Sequence, residues 1–209
     1  MSKTAKREDI RDLILDAVNS LLAKFGYKKM TMEDVAREVG IGKGTIYLHF
    51  PSKQELVLAH IDRIVERVLV DLERIAKSSE AADRRIRRML VSRVIARFDS
   101  VLHYSHNLSD LLSQVRTDLL ARRKAYFEKE AAVLEGALRE GARDGVLDCI
   151  DPRTISFVLI EATNSLLPFN LSAQELGRRE EVESQAGRIA DLLVKGLLTC
   201  PSRPASWTR

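Results

Sequence analysis

The chain has 209 residues, of which 45% are apolar and 31% are charged, and its formal net charge is +4. This apolar content, with only five prolines and ten glycines, excludes a disordered or collagen-like chain. No apolar run approaches the roughly 18 residues that a membrane-spanning helix needs. Leu, Ala, Arg and Glu dominate, so we expect an all-α protein whose mild basic excess permits nucleic-acid binding without requiring it.

The first residues and the cysteines suggest where the protein works. The segment MSKTAKRED has no apolar core and therefore does not look like a secretory signal peptide. Cys149 and Cys200 lie far apart and fit no metal-ligand spacing, which favours two free thiols over a disulfide. We expect a cytoplasmic protein.

The first predicted helix covers residues 8–24 and ends at Gly26. Its apolar residues recur with a period of 3.6 along one face. Such a helix must cover its apolar stripe with other elements. We expect it to pack on the two helices that follow, forming a three-helix domain.

Two short helices joined by a glycine turn are predicted between Thr31 and Lys53. Thr31, three residues before Asp34, is typical of a helix N-cap. Ala36, Gly40 and Ile46 have the spacing of a helix-turn-helix: a small residue, a turn glycine and an apolar residue that packs the second helix on the first. We assign Ile46 and Phe50 to this packing.

The segment that contains the second of these helices has a distinctive sequence, GIGKGTIYLHFPSKQEL, at residues 40–56. It resembles the signature of the TetR family of transcriptional regulators, and the resemblance extends over roughly residues 10–58. The resemblance implies a DNA-binding N-terminal domain and a C-terminal helical domain for ligand binding and dimerisation. Gly42 departs from the family pattern, since serine or threonine often occurs at that position.

Recognition of a major groove requires exposed donors and apolar groups on one helix face, flanked by phosphate anchors. The residue types and the resemblance together predict a DNA-contact set. It comprises Thr31, Lys43, Gly44, Thr45, Tyr47, Leu48, His49 and Lys53.

The chain after Phe50 is predicted to form further helices. Ser52 and Glu55 make a capping box that begins a fourth helix, which extends to about Lys77. The predicted domains are residues 1–52 for DNA binding and 53–200 for effector binding and dimerisation, followed by a disordered tail, 201–209. Later helices are expected at about 82–103, 108–115, 117–143, 152–167 and 179–199.

Polar residues within the apolar helices are the candidates for an effector pocket as a set, although for each residue alone an ordinary core or surface role is favoured. They are His103, Tyr104, His106, Tyr126, Glu161 and Asn164. His103 and His106 have no carboxylate or cysteine motif nearby, so no metal site is predicted. The arginines between residues 84 and 97, with Arg122 and Arg123, are interpreted as a solvated face or as ion-pair partners of Glu128 and Glu130. This interpretation is preferred to a site for an acidic ligand.

The sequence thus predicts a TetR-like repressor that a small-molecule effector releases from a pseudo-palindromic operator. It would act as a homodimer through its last two long helices. No glycine-rich phosphate loop, G-x-S-x-G or H-E-x-x-H motif is present, so neither an enzyme nor a cofactor is expected. The alternative is a DNA-binding regulator or chromosome-organising factor that a protein partner controls.

Overall fold

The computed structural model describes residues 3–168 and 177–199, and its named elements are all helices, which confirms the predicted all-α class. They are α1 (Lys3–Lys29), α2 (Met32–Val39), α3 (Lys43–His49), α4 (Lys53–Ala76), α5 (Ala82–Val101), a 3-10 helix (Leu102–Asn107), α6 (Leu108–Arg143), α7 (Pro152–Asn164) and α8 (Arg179–Leu197). Within the described ranges, no helix is long and apolar enough to cross a membrane. The predicted tail, 201–209, lies outside them.

The regular part of α1 ends at Gly26, as the sequence predicts. Gly26 has φ +68° and ψ 171°, which interrupts the helix. A side chain there would also collide with the neighbouring 3-10 helix, because an added Cβ would lie 2.8 Å from Cγ of Asn107. Glycine is therefore required both by the backbone conformation and by the close approach.

The N-terminal helices share a buried core with the helices that follow. Ile14 and Val18 of α1 belong to the same buried apolar cluster as Ile46 of α3, and this cluster continues through α4 to Phe98 of α5 and Leu111 of α6. The three N-terminal helices therefore pack on the rest of the chain rather than standing apart from it. The boundary at residue 52 stays a prediction.

Helix α4 connects two apolar clusters. Ser52 caps it, since the Ser52 hydroxyl oxygen accepts a hydrogen bond from the backbone N–H of Glu55 at 3.1 Å. The 24 residues of α4 correspond to roughly 36 Å. Its first half lies in the cluster shared with α1–α3, whereas Val68 and Leu72 lie in a second cluster with α5–α8.

Helix α6 corrects one prediction from the sequence. The sequence predicts separate helices at 108–115 and 117–143, but the structure has one continuous helix of 36 residues. Arg116 and Thr117 lie in mid-helix at this point, and neither glycine nor proline is present to end it. The modest helix propensity of one threonine is insufficient to interrupt a helix that packs along its length.

A buried ion cluster joins α5, α6 and α7. Nε of Arg93 donates a hydrogen bond to one carboxylate oxygen of Glu130 at 2.8 Å, and Arg97 donates a hydrogen bond to the other oxygen of that carboxylate. Arg93 also donates to Oγ1 of Thr163 at 2.5 Å and to Oδ1 of Asn164 at 3.0 Å. The predicted pairing with Glu130 is confirmed for these two arginines, although they lie in the core and not on a solvated face.

His60 of α4 is buried where α1, α4 and α5 meet. Its ring has no hydrogen-bond partner among the described residues, and its centroid lies 6.2 Å from that of Tyr104. Burial lowers the pKa of His60 to about 4, and the charges of Arg63 and Arg67 act in the same direction, whereas the backbone of Leu15 and the Asp16 carboxylate oppose them. The neutral ring is therefore the form that the fold accommodates.

This burial makes stability depend on pH. An unfolded histidine has a pKa of about 6.5, so between about pH 6.5 and 4 the unfolded chain binds a proton that the folded chain does not. The stabilisation is complete above about pH 6.5 and is lost as the pH falls. Between pH 7 and 5, the free energy of unfolding of the native chain should fall by about 2 kcal/mol more than that of His60→Leu, as measured by urea denaturation at one protein concentration.

His106, an exposed residue of the 3-10 helix, supplies the control. His106→Leu should keep the pH dependence of the native chain. Equal pH dependence in the native chain and in His60→Leu would show that His60 does not cause it.

Candidate nucleic-acid interface and ligand pocket

Helix α2 begins with a complete capping box. The Thr31 hydroxyl oxygen accepts a hydrogen bond from the backbone N–H of Asp34 at 3.1 Å. In return, the Asp34 carboxylate accepts one hydrogen bond from the Thr31 backbone N–H at 3.0 Å and another from the Thr31 hydroxyl at 2.7 Å. These hydrogen bonds from Thr31 lower the pKa of Asp34. Thr31, a predicted DNA contact, is exposed, and its hydroxyl serves the cap in this structure.

The turn between α2 and α3 has the geometry that the sequence predicts. Gly40 has φ +74°, and the following residue, Ile41, donates its backbone N–H to the carbonyl of Ala36 at 3.0 Å. Non-glycine residues rarely adopt this left-handed conformation. The turn therefore fixes the angle at which α3 leaves α2.

Helix α3 has one buried and one exposed face. Ile46 is fully buried and Phe50, which follows the helix, is 2% exposed. On the opposite side Tyr47 is 45% exposed and Leu48 is 75% exposed. Lys43 and Gly44 are exposed as well, and Thr45 and His49 are partly exposed. The exposed face thus presents an ammonium, a phenol and an apolar side chain together.

The two lysines of the predicted contact set have different surroundings. Lys43 pairs with Glu33 of α2, and both side chains are more than half exposed. An exposed pair of this kind contributes little to stability, so the Lys43 ammonium is available to a phosphate. Gly42, at the N-cap of α3, makes no side-chain hydrogen bond.

Lys53 holds the end of α1. Its Nζ donates to the carbonyl of Tyr27 at 2.9 Å and to that of Met30 at 3.1 Å, and it lies 4.4 Å from the centroid of the Tyr27 ring. No local sequence signal indicates this role, because the acceptors lie 23 and 26 residues earlier. Whether Lys53 also contacts DNA stays a prediction.

The six candidate effector residues do not meet at one place. Tyr126 lines a cavity between α4, α5 and α6, while Glu161 and Asn164 line an adjacent open groove. His103 lies at a different cleft beside His60. Tyr104 is buried and His106 is exposed. Across residues 3–168 and 177–199, no three side chains of the metal-ligating types cluster together.

The cavity at Tyr126 has a volume of about 70 Å³. Most of its lining comes from one face of α6, at helical spacing, with single residues from α4 and α5 and from the segment after α7. The lining residues are Val65, Arg97, Leu112, Arg116, Leu119, Leu120, Arg123, Tyr126, Phe127 and Leu167. Of the six predicted residues, Tyr126 lies on this face of α6, and the apolar period of α6 is the sequence signal for its other lining residues.

Polar contacts connect the same part of α6 to α4. The Tyr126 hydroxyl donates to Asp62, and Arg122 donates to Asp62 at 2.5 Å and to Glu55 at 2.9 Å. Burial and the neighbouring Asp62 carboxylate raise the pKa of Tyr126. Glu55 lies in the first turn of α4, directly after the helix-turn-helix.

These features define the class of protein. A helix-turn-helix whose second helix is exposed is the organisation of a DNA-binding protein, and here it is continuous with further helices that border a cavity. Residues 14–60 match the family model described as bacterial regulatory proteins, tetR family. Residues 14–60 are thus the DNA-binding segment of a TetR-type transcriptional regulator.

One relative by sequence and two solved structures resemble most of the chain. An uncharacterised HTH-type transcriptional regulator of Bacillus subtilis, YhgD, is 27% identical over 196 residues, which are 90% of this chain and 97% of that protein. The crystal structure of a TetR-family regulator from Pectobacterium atrosepticum is similar in fold, with a TM-score of 0.72 at 20% identity, covering 97% of this chain and all of that one. FadR of B. subtilis in complex with stearoyl-CoA has a TM-score of 0.62 at 17% identity, covering 88% and 97% of the two chains.

The exposed face of α3 leads to a test by substitution. Tyr47→Ala and Lys43→Ala should each weaken operator binding by about 1 kcal/mol or more, because each removes an exposed side chain that can reach DNA. Lys43→Ala should also reduce the slope of log affinity against log salt by about one unit, because the variant neutralises one phosphate fewer. Fluorescence anisotropy with labelled operator DNA, measured over a range of salt concentrations, gives both quantities.

Lys124→Ala is the matched control, since the Lys124 side chain is 86% exposed on α6, away from α3. It should leave affinity and salt slope unchanged, and far-UV circular dichroism should be the same for all variants. Native affinity in both α3 variants at physiological salt would rule out α3 as the reading helix.

Proposed function

We propose that the chain is a repressor that binds a pseudo-palindromic operator as a homodimer and is released when a small molecule occupies the cavity at Tyr126. The observation that carries this proposal is the connection from the cavity to α4. Tyr126 lines the cavity and also hydrogen-bonds to Asp62, and its neighbour Arg122 binds both Asp62 and Glu55. A ligand that displaces Tyr126 therefore acts on the helix that begins directly after the DNA-reading element.

The small size of the cavity supports a link between ligand binding and a change of conformation. A volume of about 70 Å³ has room for only a few water molecules. A larger ligand binds only to a state in which α4 and α6 have shifted or their side chains have moved. Such a ligand has different affinities for the two states, which is the condition for shifting their populations.

Two exposed apolar side chains support the homodimer. Val158 of α7 is 50% exposed and Leu192 of α8 is 74% exposed. Packing of α7 and α8 against the same helices of a second copy would bury both residues. Two α3 helices would then face half-sites whose centres lie roughly 34 Å apart. The ligand in the FadR structure supports a small-molecule effector for this related fold.

The proposal is tested by electrophoretic mobility shift with the full chain and the DNA upstream of its own gene, with and without a panel of metabolites. Retarded DNA that one metabolite class releases is the expected result. Because each dimer carries two reading helices, scrambling one half-site should reduce binding strongly. Binding that no metabolite affects would favour control by a protein partner, and absence of binding would overturn both.

The route through Asp62 gives a second prediction. Asp62→Asn weakens the hydrogen bonds from Tyr126 and Arg122 while preserving the shape of the side chain. Hydrogen bonds to a charged group contribute about 1.5–3 kcal/mol, so the ratio of operator affinities without and with effector should change about tenfold. Anisotropy titrations at zero and saturating effector give this ratio.

Asp71→Asn is the control on the same helix, because Asp71 is partly exposed and, among the described residues, its ion-pair partner is Arg74, one turn away. It should leave the ratio unchanged. If Asp62→Asn also leaves it unchanged, the signal does not pass through this contact.

A further inference from the structure

The lining of the cavity at Tyr126 has an unbalanced charge. Among the described residues, three guanidinium groups line it, those of Arg97, Arg116 and Arg123, and no carboxylate does. Apart from the Tyr126 phenol, the other lining side chains are apolar. Arg97 is buried, Arg123 is partly buried and Arg116 is exposed, so cations border the cavity from the core to the surface with no anion among its described lining residues.

The pairing of these arginines leaves positive charge uncompensated. Arg97 shares the Glu130 carboxylate with Arg93, and all three groups are buried, so two guanidinium groups face one carboxylate. Arg116 and Arg123 form no ion pair within the described part of the chain. The guanidinium of Arg123 lies 5.0 Å from the centroid of the Phe127 ring, which orients it without neutralising it.

We propose that this cavity takes an organic anion with an apolar body, whose carboxylate or phosphate group binds Arg116 and Arg123 while its apolar part lies among Leu112, Leu119 and Leu167. This rests on the proposed function only in treating the cavity as the effector site. Arg97 is held by Glu130 and by the carbonyl of Arg93 at 2.9 Å. It therefore contributes positive potential, and the two unpaired arginines make the contacts.

Anionic, neutral and cationic ligands would have different effects on the arginines that line the cavity. A planar guanidinium binds a carboxylate or phosphate through two parallel hydrogen bonds, which are strong where water is excluded. A neutral ligand that displaces water would leave Arg116 and Arg123 less solvated and without an anion. A cationic ligand would add repulsion from all three arginines. The apolar walls require that the anion carry a hydrocarbon part.

The experiment uses the full chain and four probes that share a twelve-carbon tail: dodecanoate, dodecyl phosphate, 1-dodecanol and dodecyltrimethylammonium. Isothermal titration calorimetry below the concentration at which each probe aggregates gives the affinities. At least one anion should bind about tenfold or more tightly than the alcohol, and the ammonium compound should bind more weakly still. Preference for dodecanoate or for dodecyl phosphate identifies the carboxylate or the phosphate as the group recognised.

The double variant Arg116→Gln/Arg123→Gln should abolish the preference for the anion while keeping affinity for the alcohol. The fold should survive, because neither arginine takes part in an ion pair among the described residues. Arg84→Gln/Arg153→Gln is the matched control, since both residues are exposed, away from the cavity, and their replacement removes the same charge. This control should retain the preference, which excludes an effect of net charge alone.

Equal affinity for alcohol and anions, stronger binding of the ammonium compound, or no binding of any probe would overturn the inference. An anion preference that survives in Arg116→Gln/Arg123→Gln would overturn the assigned contacts. Failure of the proposed function looks different, because the anions would then bind at the cavity without changing operator affinity in anisotropy. Conversely, if only neutral or cationic metabolites release the operator, the proposed repressor function stands and the inferred anionic ligand is wrong.

Discussion

The buried ion cluster of Arg93, Arg97 and Glu130 is the contact on which the C-terminal helices most depend. Removing three charges from water costs several kcal/mol each unless every charge finds partners. Here the carboxylate accepts from both arginines, and Arg93 reaches Thr163 and Asn164 of α7 as well. An arrangement that shifts α6 along α5 would break these contacts and leave charges buried without partners. The cluster therefore specifies one register for α5, α6 and α7.

Under the proposed function, this constraint would also determine which part of α6 responds to a ligand. Glu130 fixes the middle of the helix to α5, while the preceding face, from Leu112 to Phe127, borders the cavity. The contacts of Arg122 and Tyr126 with α4 lie in this preceding part. Under the proposed function, movement there would be transmitted to α4, because packed helices rearrange between discrete states. The fixed cluster and the adaptable cavity are thus neighbouring parts of one helix.

The sequence predicted best those features that depend on residues close together in the chain. The caps at Thr31 and Ser52 and the turn at Gly40 each have a local chemical signal, and the structure confirms all three. Burial of Ile46 beside exposed Tyr47 follows from the helical period. The break proposed within residues 108–143 was wrong because it relied on weak propensity, which packing overrides. The contacts of Lys53 with Tyr27 and Met30 depend on the tertiary fold and had no such signal.

The arginines show why the surroundings of the candidate ligand site were harder to predict than the geometry of the helix-turn-helix. In the sequence they form one set, and a single interpretation as a solvated or ion-paired face covered them all. In the structure, Arg93 and Arg97 are core residues that share Glu130, Arg122 joins α6 to α4, and Arg123 faces the cavity. Since Glu130 already serves two cations, it offers Arg123 no compensation, and the charge that remains is directed into an apolar space. The cavity is therefore positive because Arg116 and Arg123 form no ion pair within the described residues, while Arg97 shares its only carboxylate with Arg93.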